Sequence, residues 1–429
     1  MTGDAGQGGS RKATGVRWRV LAVLMVASFI SYVLRYNVST AGPAMMADLD
    51  LNEIEFGWVL AAFTAGYAIF QFPGGLFGNA AGLRRAFTLI AVLWAVLTLL
   101  TSAVPAAAVL LPLIAVRFLV GASHAPIYPL TTGVIERWFP IGGWALPQGL
   151  SSTALTLGVA VSTPAVVWAV GAYGWRPVFL AIAPLGFLTA WACWAVLRDD
   201  PAAHPAVNRA EVDLIAANRP AAVDSAERTP AWLRVLKNRD VLFLTASYFC
   251  ANYVFYHFFN WVFYYFVEIR GYDEQYAGYL TSIQWVAAAV GATLGGFVCD
   301  YLTRRFGLAR ACRWMSIGGL ALSGAAMGLA STPVGPVVLG TCLAVSFLAM
   351  QATEASHWAA AIGVGGRHAG PAGGVMNTGG NAVGSVNALL VPVIAAWLGW
   401  SAAMATTSVF ALVGAVLWLF IRPDRRMPD

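Results

Sequence analysis

Gly74-Gly75-Leu76-Phe77-Gly78-Asn79, followed by Gly82, Arg84 and Arg85, closes a long apolar stretch of this chain. Gly295-Gly296-Phe297-Val298-Cys299-Asp300, followed by Arg304 and Arg305, closes another, 221 residues later (295 − 74). A second echo pairs Gly174-Trp175 with Gly399-Trp400 at an offset of 225 (399 − 174). Repetition at half the chain's length means two related halves, and two membrane halves packed around a central pathway are built for alternating access.

Around these motifs the chain is strongly apolar. Of its 429 residues 59% are hydrophobic and 11% charged, against about 25% charged in soluble domains, and the mean hydropathy is +0.68. So much apolar surface does not fit inside a water-soluble core. An all-α integral membrane protein is implied, because spanning helices satisfy their own backbone polar groups in lipid. The net charge of +6 does not point to nucleic acid, since the positives sit in short loops between apolar spans and set topology there. Cys193, Cys250, Cys299, Cys312 and Cys342 lie in or beside apolar spans without paired spacing. Neither disulfides nor a bound metal is expected from them, and nothing calls for a cofactor.

Twelve apolar spans follow one another, at 17–41, 55–79, 86–106, 109–136, 146–171, 176–197, 241–267, 275–301, 312–331, 336–361, 371–397 and 401–421. Each is long enough for a bilayer core, which takes about 20 helical residues. Residues 1–16 read as a disordered N-terminus, 17–197 as one six-helix bundle, 198–240 as a polar linker helical from Arg209 to Asn218, 241–421 as the second bundle and 422–429 as a tail. Basic residues gather on one side: Arg11, Lys12, Arg17, Arg19, Arg84, Arg85, Arg137, Arg304, Arg305, Arg310, Arg313, Arg367, Arg422, Arg425 and Arg426. Asp48, Asp50, Glu53, Glu55, Glu268, Asp273 and Glu274 mark the other. The positive-inside rule then predicts a multi-pass protein of the cytoplasmic membrane with both termini and the linker in the cytoplasm. A monomer surrounded by the lipid bilayer is expected.

A charge inside a span is costly and therefore marks a pathway. Arg35, in Tyr32-Val33-Leu34-Arg35-Tyr36-Asn37, lies too deep to snorkel, and a guanidinium grips a carboxylate through two parallel bonds. The competing reading is a structural ion pair. Arg117 and His124 stand two turns apart on the fourth span, Arg117 as a gate or positioning group and His124 as a carrier of a coupling proton or a neutral structural histidine. Glu354 and His357 are i, i+3 neighbours on the tenth span beside Trp358; a buried glutamate suits reversible protonation, or serves as a hydrogen-bonded structural group. On the seventh span Tyr253, Tyr256, His257 and Asn260 fit one stripe, predicted to line the cavity, with Tyr67, Asn377 and Asn381 as further lining residues; aromatic helix packing is the competing reading for any one of them.

These residues resemble the major facilitator superfamily, through the double motif with Gly75, Asn79, Arg84-Arg85 and Gly296, Asp300, Arg304-Arg305. Within it, Arg35-Tyr36-Asn37-Val38-Ser39, Gly174-Trp175-Arg176-Pro177-Val178-Phe179, Asp200-Pro201 with His204-Pro205, and Met376-Asn377-Thr378-Gly379-Gly380-Asn381 resemble the anion:cation symporter family. That resemblance covers nearly the whole chain. It implies two pseudo-symmetric six-helix bundles and a permease for an organic anion such as a sugar acid, hexuronate or phthalate, many such permeases being proton symporters. It also implies an anion held at Arg35 with Tyr32, Tyr67 and Asn381 as neighbours. Departures from the family pattern are Leu34 where an Asp is common, His124 where a Glu two residues before Pro126 is common, and Asn79 for the usual Asp of the first loop motif. The expectation is a secondary transporter for a small organic anion, coupled to a proton or another ion. The alternatives are an exporter of an amphipathic or siderophore-like compound and a non-transporting sensor of the same fold. No nucleophile–base pair suggests an enzyme.

Overall fold

The computed structural model describes residues 12–105, 109–140, 144–216 and 235–425; within helices, the side chains of residues 72, 75, 76, 79, 145 and 367 are outside the description. The described chain is helical, with no strand among those residues. In order, the spans are Val16–Thr40, Glu53–Ala81, Leu83–Ser102, Leu110–His124 continued by Ile127–Trp138, Ala145–Tyr173, and Trp175–Ile182 continued by Pro184–Val196. After the linker come Arg239–Asn260, extended by one-turn segments to Ile269, then Glu274–Phe306, Leu308–Ala330, Pro336–Ala352 continued by Glu354–Gly365, Ala369–Leu398 and Trp400–Leu417. Ten of these helices are long and apolar enough to cross a membrane. The seventh falls short because Tyr248, Asn252, Tyr253, Tyr256, His257 and Asn260 dilute it, the ninth because Arg310 and Arg313 occupy its first turns. Both are packed among the others, which completes twelve membrane helices in two halves. Trp168, Trp191, Phe297 and Trp397 stand exposed on the outer surface, where lipid would cover them.

The halves share their construction details. Asn52 caps the second span by accepting from the Glu55 amide, and Asp273 caps the eighth by accepting from the Tyr276 amide, 221 residues on. Gly82 and Gly307 turn the chain into the third and ninth spans, each at φ 84°, a left-handed angle that costs glycine least. Their offset is 225 because the eighth span has 33 residues and the second 29, one more helical turn. The double motif is therefore helical rather than a loop: the helices run on to Ala81 and Phe306, and a single glycine suffices to make each turn. Arg84, Arg85, Arg304 and Arg305 all lie on helix ends.

Three spans are interrupted, the fourth, the sixth (at Ala183) and the tenth. The fourth breaks at Pro126, which lacks an amide hydrogen for the ladder. The tenth breaks at Thr353, whose hydroxyl donates to the Met350 carbonyl at 2.7 Å and competes with the helix bonds. The first glycine of each motif copy packs on the corresponding break: a Cβ on Gly74 would come within 2.6 Å of Pro126, and one on Gly295 within 2.3 Å of the Ala352 carbonyl oxygen.

Among the described residues, the hydrogen bonds between the halves lie from the middle of the molecule to the side opposite the linker, here called the far side. Thr64 and Ser385 hydroxyls meet at 2.9 Å, Tyr264 donates to Glu53 at 2.8 Å, and Gln275 donates to the Pro164 carbonyl at 3.3 Å. Tyr36 packs edge-on against Phe259 and Trp285 just beneath. On the linker side, Tyr128 and Trp358 face each other across the halves at 6.2 Å. The structure is thus sealed on the far side.

On the linker side each half is clipped separately. Glu211, on the linker helix Arg209–Ala216, is fully buried and accepts from the Val16 amide at 3.0 Å, the Arg17 amide at 3.1 Å, the Arg17 guanidinium at 3.3 Å and the Thr14 hydroxyl. It thereby caps the first span with charge as well as bonds. Burial works against its charge, but these donors prevail and hold the carboxyl below the usual range. In the second half Asp240 accepts from the Arg422 amide at 3.0 Å, and Arg313 donates to the Ile421 carbonyl at 2.8 Å. The expected disorder of the first residues (1–11), the linker beyond Ala216 (217–234) and the end of the tail (426–429) lie outside the described residues.

Candidate functional site

Arg35 sits in the last turns of the first span, where the helix is buried on every face, and is itself 3% exposed. Four aromatic rings receive its guanidinium: Tyr67 at 4.6 Å, Phe259 at 4.7 Å, Phe63 at 4.9 Å and Tyr32 at 5.1 Å. Desolvated cation–π contacts are worth about 2 kcal/mol each at best, which offsets part of the cost of an arginine in lipid. Its amino groups donate at 3.4 Å to Tyr32 and at 3.3 Å to Tyr256 across the interface of the halves, and Nε has no partner. Tyr256 donates to Asn381 at 2.9 Å, whose amide donates to the Asn377 side chain at 3.0 Å. No carboxylate pairs with Arg35 among the described residues. The expected group of Arg35, Tyr32, Tyr67, Tyr256, Asn377 and Asn381 is therefore one connected cluster in which the bonds made by Arg35 itself are long, a cation without a carboxylate partner among the described residues.

Arg117 shares Phe63 with it. Its guanidinium lies 4.8 Å from the same ring, is buried and likewise has no carboxylate partner among the described residues. His124 stacks on Trp94 at 4.8 Å, bonds the Val120 carbonyl through Nδ1 at 2.8 Å and leaves Nε2 buried and unpartnered. The carbonyl can only accept, so Nδ1 carries the hydrogen and Nε2 has a free lone pair.

In the second half, Glu354 opens the lower segment of the broken tenth span. Its Oε1 accepts from the Tyr248 hydroxyl and from the Trp358 indole, each at 2.8 Å. Glu354, Trp358, Tyr128, Asn377 and Asn381 are all partly exposed, in contrast to the buried Arg35. His357 does not join them. Its Nδ1 bonds the Thr353 carbonyl at 2.9 Å and its Nε2 takes the Trp418 indole hydrogen at 3.3 Å, beside Ser247. An indole only donates, so this histidine is locked neutral inside the second half. Its partners all belong to the second half.

The seventh-span stripe divides. Tyr248, Asn252 and Tyr256, four residues apart, face the centre with Phe259. Tyr253 instead stacks on Phe410 at 3.9 Å and bonds Thr406, while Asn260 bonds Asn387 at 3.3 Å, both within the second half. His257 is fully buried with neither ring nitrogen partnered. At the helix ends, Arg84 lies 3.9 Å over Trp194 and donates to its carbonyl, Arg304 turns back to the Asp300 carbonyl, and Arg305 reaches Tyr301. Sequence reasoning passed over Phe63, Tyr128, Tyr248 and Phe259. The 248–252–256 spacing was a signal for Tyr248, and Tyr128 stands one turn after His124.

The family model described as Major Facilitator Superfamily matches residues 24–388. Among curated proteins, a probable sulfoacetate transporter of Cupriavidus necator is 28% identical over 418 residues, covering 95% of this chain and 94% of that one. A probable galactarate/D-glucarate transporter of Bacillus subtilis is 28% identical over 446 residues, covering 97% and 96%. Among solved structures, a bacterial homologue of the human lysosomal transporter Spinster, in an inward-facing and occupied conformation, superposes with a TM-score of 0.76 at 15% identity, covering 96% of this chain and 99% of that one, which speaks for the fold alone.

Proposed function

The chain belongs to the Major Facilitator Superfamily, and on that premise we propose that it is a secondary transporter, not an enzyme, moving a small organic anion across the cytoplasmic membrane by alternating access. The observation that carries this reading is Arg35: a buried guanidinium at the contact of the two halves, cradled by hydroxyls and rings and lacking a carboxylate partner among the described residues. An anion would replace the long bonds to Tyr32 and Tyr256 with two short charge-assisted ones. The relatives named as carriers of sulfoacetate and of galactarate and D-glucarate support an anionic cargo.

Because Arg35 reaches Tyr256 across the interface, the anion touches both halves and can bias their rocking. Uptake with a proton belongs to the same proposal. His124 has a free ring nitrogen near Phe63, the ring that both arginines face. A proton there adds positive charge beside two cations, and a bound anion offsets it, so each ligand promotes the other. The basic loop charges favour both termini in the cytoplasm.

The test is ligand-dependent thermal stabilisation of the purified protein against sugar acids, sulfonates, dicarboxylates and neutral sugars, with Arg35→Ala in parallel. Stabilisation by acids in the wild type and none in Arg35→Ala is expected. Stabilisation by neutral or bulky amphipathic compounds, unchanged in Arg35→Ala, would overturn the reading.

A further inference from the structure

Arg35 and Glu354 are ionisable groups of opposite type at the centre of the two halves, and only Arg35 has a part in binding the cargo's acid group. Arg35 offers donors and nothing else. Glu354 offers an acceptor: Oε1 is occupied by Tyr248 and Trp358, two donors from its own half, while no described group bonds Oε2. Two donors on one oxygen, and a place at the start of a twelve-residue half-helix, support the ionised carboxylate against the cost of its burial. The residue is partly exposed, and its second oxygen is not buried. A run of contacts, polar at both ends and steric in the middle, links the two groups. Arg35 bonds Tyr256, Tyr256 bonds Asn381, the neighbouring Gly380 lies so close to Tyr248 that a Cβ would come within 2.3 Å of its ring, and Tyr248 bonds Glu354. The amides between, Asn377 and Asn381, are neutral and partly exposed.

Resting on the assignment of Arg35 to the cargo's acid group, we propose that Glu354 is a specificity-determining residue of the same site. It accepts hydrogen bonds from hydroxyls at the end of the cargo remote from Arg35, and it repels a second acid group there. A hydroxylated monoanion satisfies both groups and the neutral amides between them. A dianion of equal length sets two carboxylates side by side in a poorly hydrated site, an arrangement that selects by repulsion rather than by attraction. A cargo without donors at that end leaves Oε2 unsatisfied.

The experiment compares chain-matched pairs on the full-length purified protein by titrated thermal stabilisation: glycerate with tartronate, threonate with tartrate, gluconate with glucarate, and 6-aminohexanoate as a monoanion ending in an ammonium. Wild type is expected to bind the monoacid of its best pair about tenfold or more tightly than the diacid, and Glu354→Gln to bring the two within about threefold, chiefly by gaining the diacid. Equal affinities in the wild type overturn the inference, as does an unchanged ratio in Glu354→Gln. Tighter binding of 6-aminohexanoate than of every hydroxy acid overturns the hydroxylated class. If Glu354→Gln does not fold, the wild-type ratio decides alone. Monoacid binding that Arg35→Ala abolishes, together with a ratio near one, sinks only the Glu354 inference. Acid binding that survives in Arg35→Ala sinks the carrier reading itself, and this inference with it.

Discussion

At the scale of single residues, the centre of the molecule is a study in unpaired groups. Arg35 and Arg117 address the same ring, Phe63, and neither has a carboxylate partner among the described residues, and His124 keeps one nitrogen unpartnered. Replacing Arg35 by lysine keeps the charge but removes the planar fork. Arg35→Lys is therefore expected to weaken binding of the preferred acid by about tenfold to a hundredfold, the value of one charge-assisted bond, measured by titrated thermal stabilisation. Equal affinity would mean that only charge matters. Arg35 was legible in the sequence because an intramembrane charge is rare and costly. The division between Tyr256, which faces the centre, and Tyr253 and Asn260, which do not, was not. All three fit one helical stripe within its width, and only packing against the eleventh and twelfth spans decides which edge looks inward.

At the scale of elements, close approaches and the breaks of the fourth and tenth spans come in pairs. The second and fourth spans touch backbone to backbone: a Cβ on Gly66 would lie 2.1 Å from the Phe118 carbonyl oxygen, and one on Gly121 1.9 Å from that of Phe63. Gly291 repeats this against Leu348 between the eighth and tenth. Twelve spans were readable from hydropathy and length, and the motif glycines fell at the ends of two of them, 55–79 and 275–301. Gly74 and Gly295 admit a broken neighbouring helix, a tertiary demand that local pattern does not carry. The linker helix is an element whose contribution depends on pH. Glu211 has its carboxyl held below the ordinary range, so its contribution is complete above the unfolded-state value and disappears as pH falls through the lower folded-state value. Glu211→Gln is expected to cost about 1–3 kcal/mol at neutral pH, read as a lowered melting temperature. The gap from wild type should close as the pH drops below the carboxylate range. A gap that persists in acid would assign the loss to shape rather than charge.

For the whole molecule, the seal on the far side is the contact that transport must break. Thr64 and Ser385 meet there at 2.9 Å between opposite halves, close enough for a disulfide once both are cysteines. The chain's own cysteines are buried, so a Thr64→Cys, Ser385→Cys double variant is expected to crosslink selectively, lose uptake in proteoliposomes on oxidation and regain it on reduction. Full uptake by the oxidised protein would show that this seam never opens. The two-fold repeat that organises the fold was visible in the glycine echoes before any coordinates. The positions where the halves actually meet were not, because interface residues such as Thr64 and Ser385 look like any other small polar residue in a span. The clips on the linker side carry one more implication. Glu211 ties its segment to the first half, and Asp240 ties the chain's end to the second, so neither half relies on peptide continuity for its own closure. Two polypeptides, the first ending and the second beginning between 217 and 234, are then expected to assemble into a working carrier when produced together. The single gene is a convenience of equal supply rather than a requirement of the architecture.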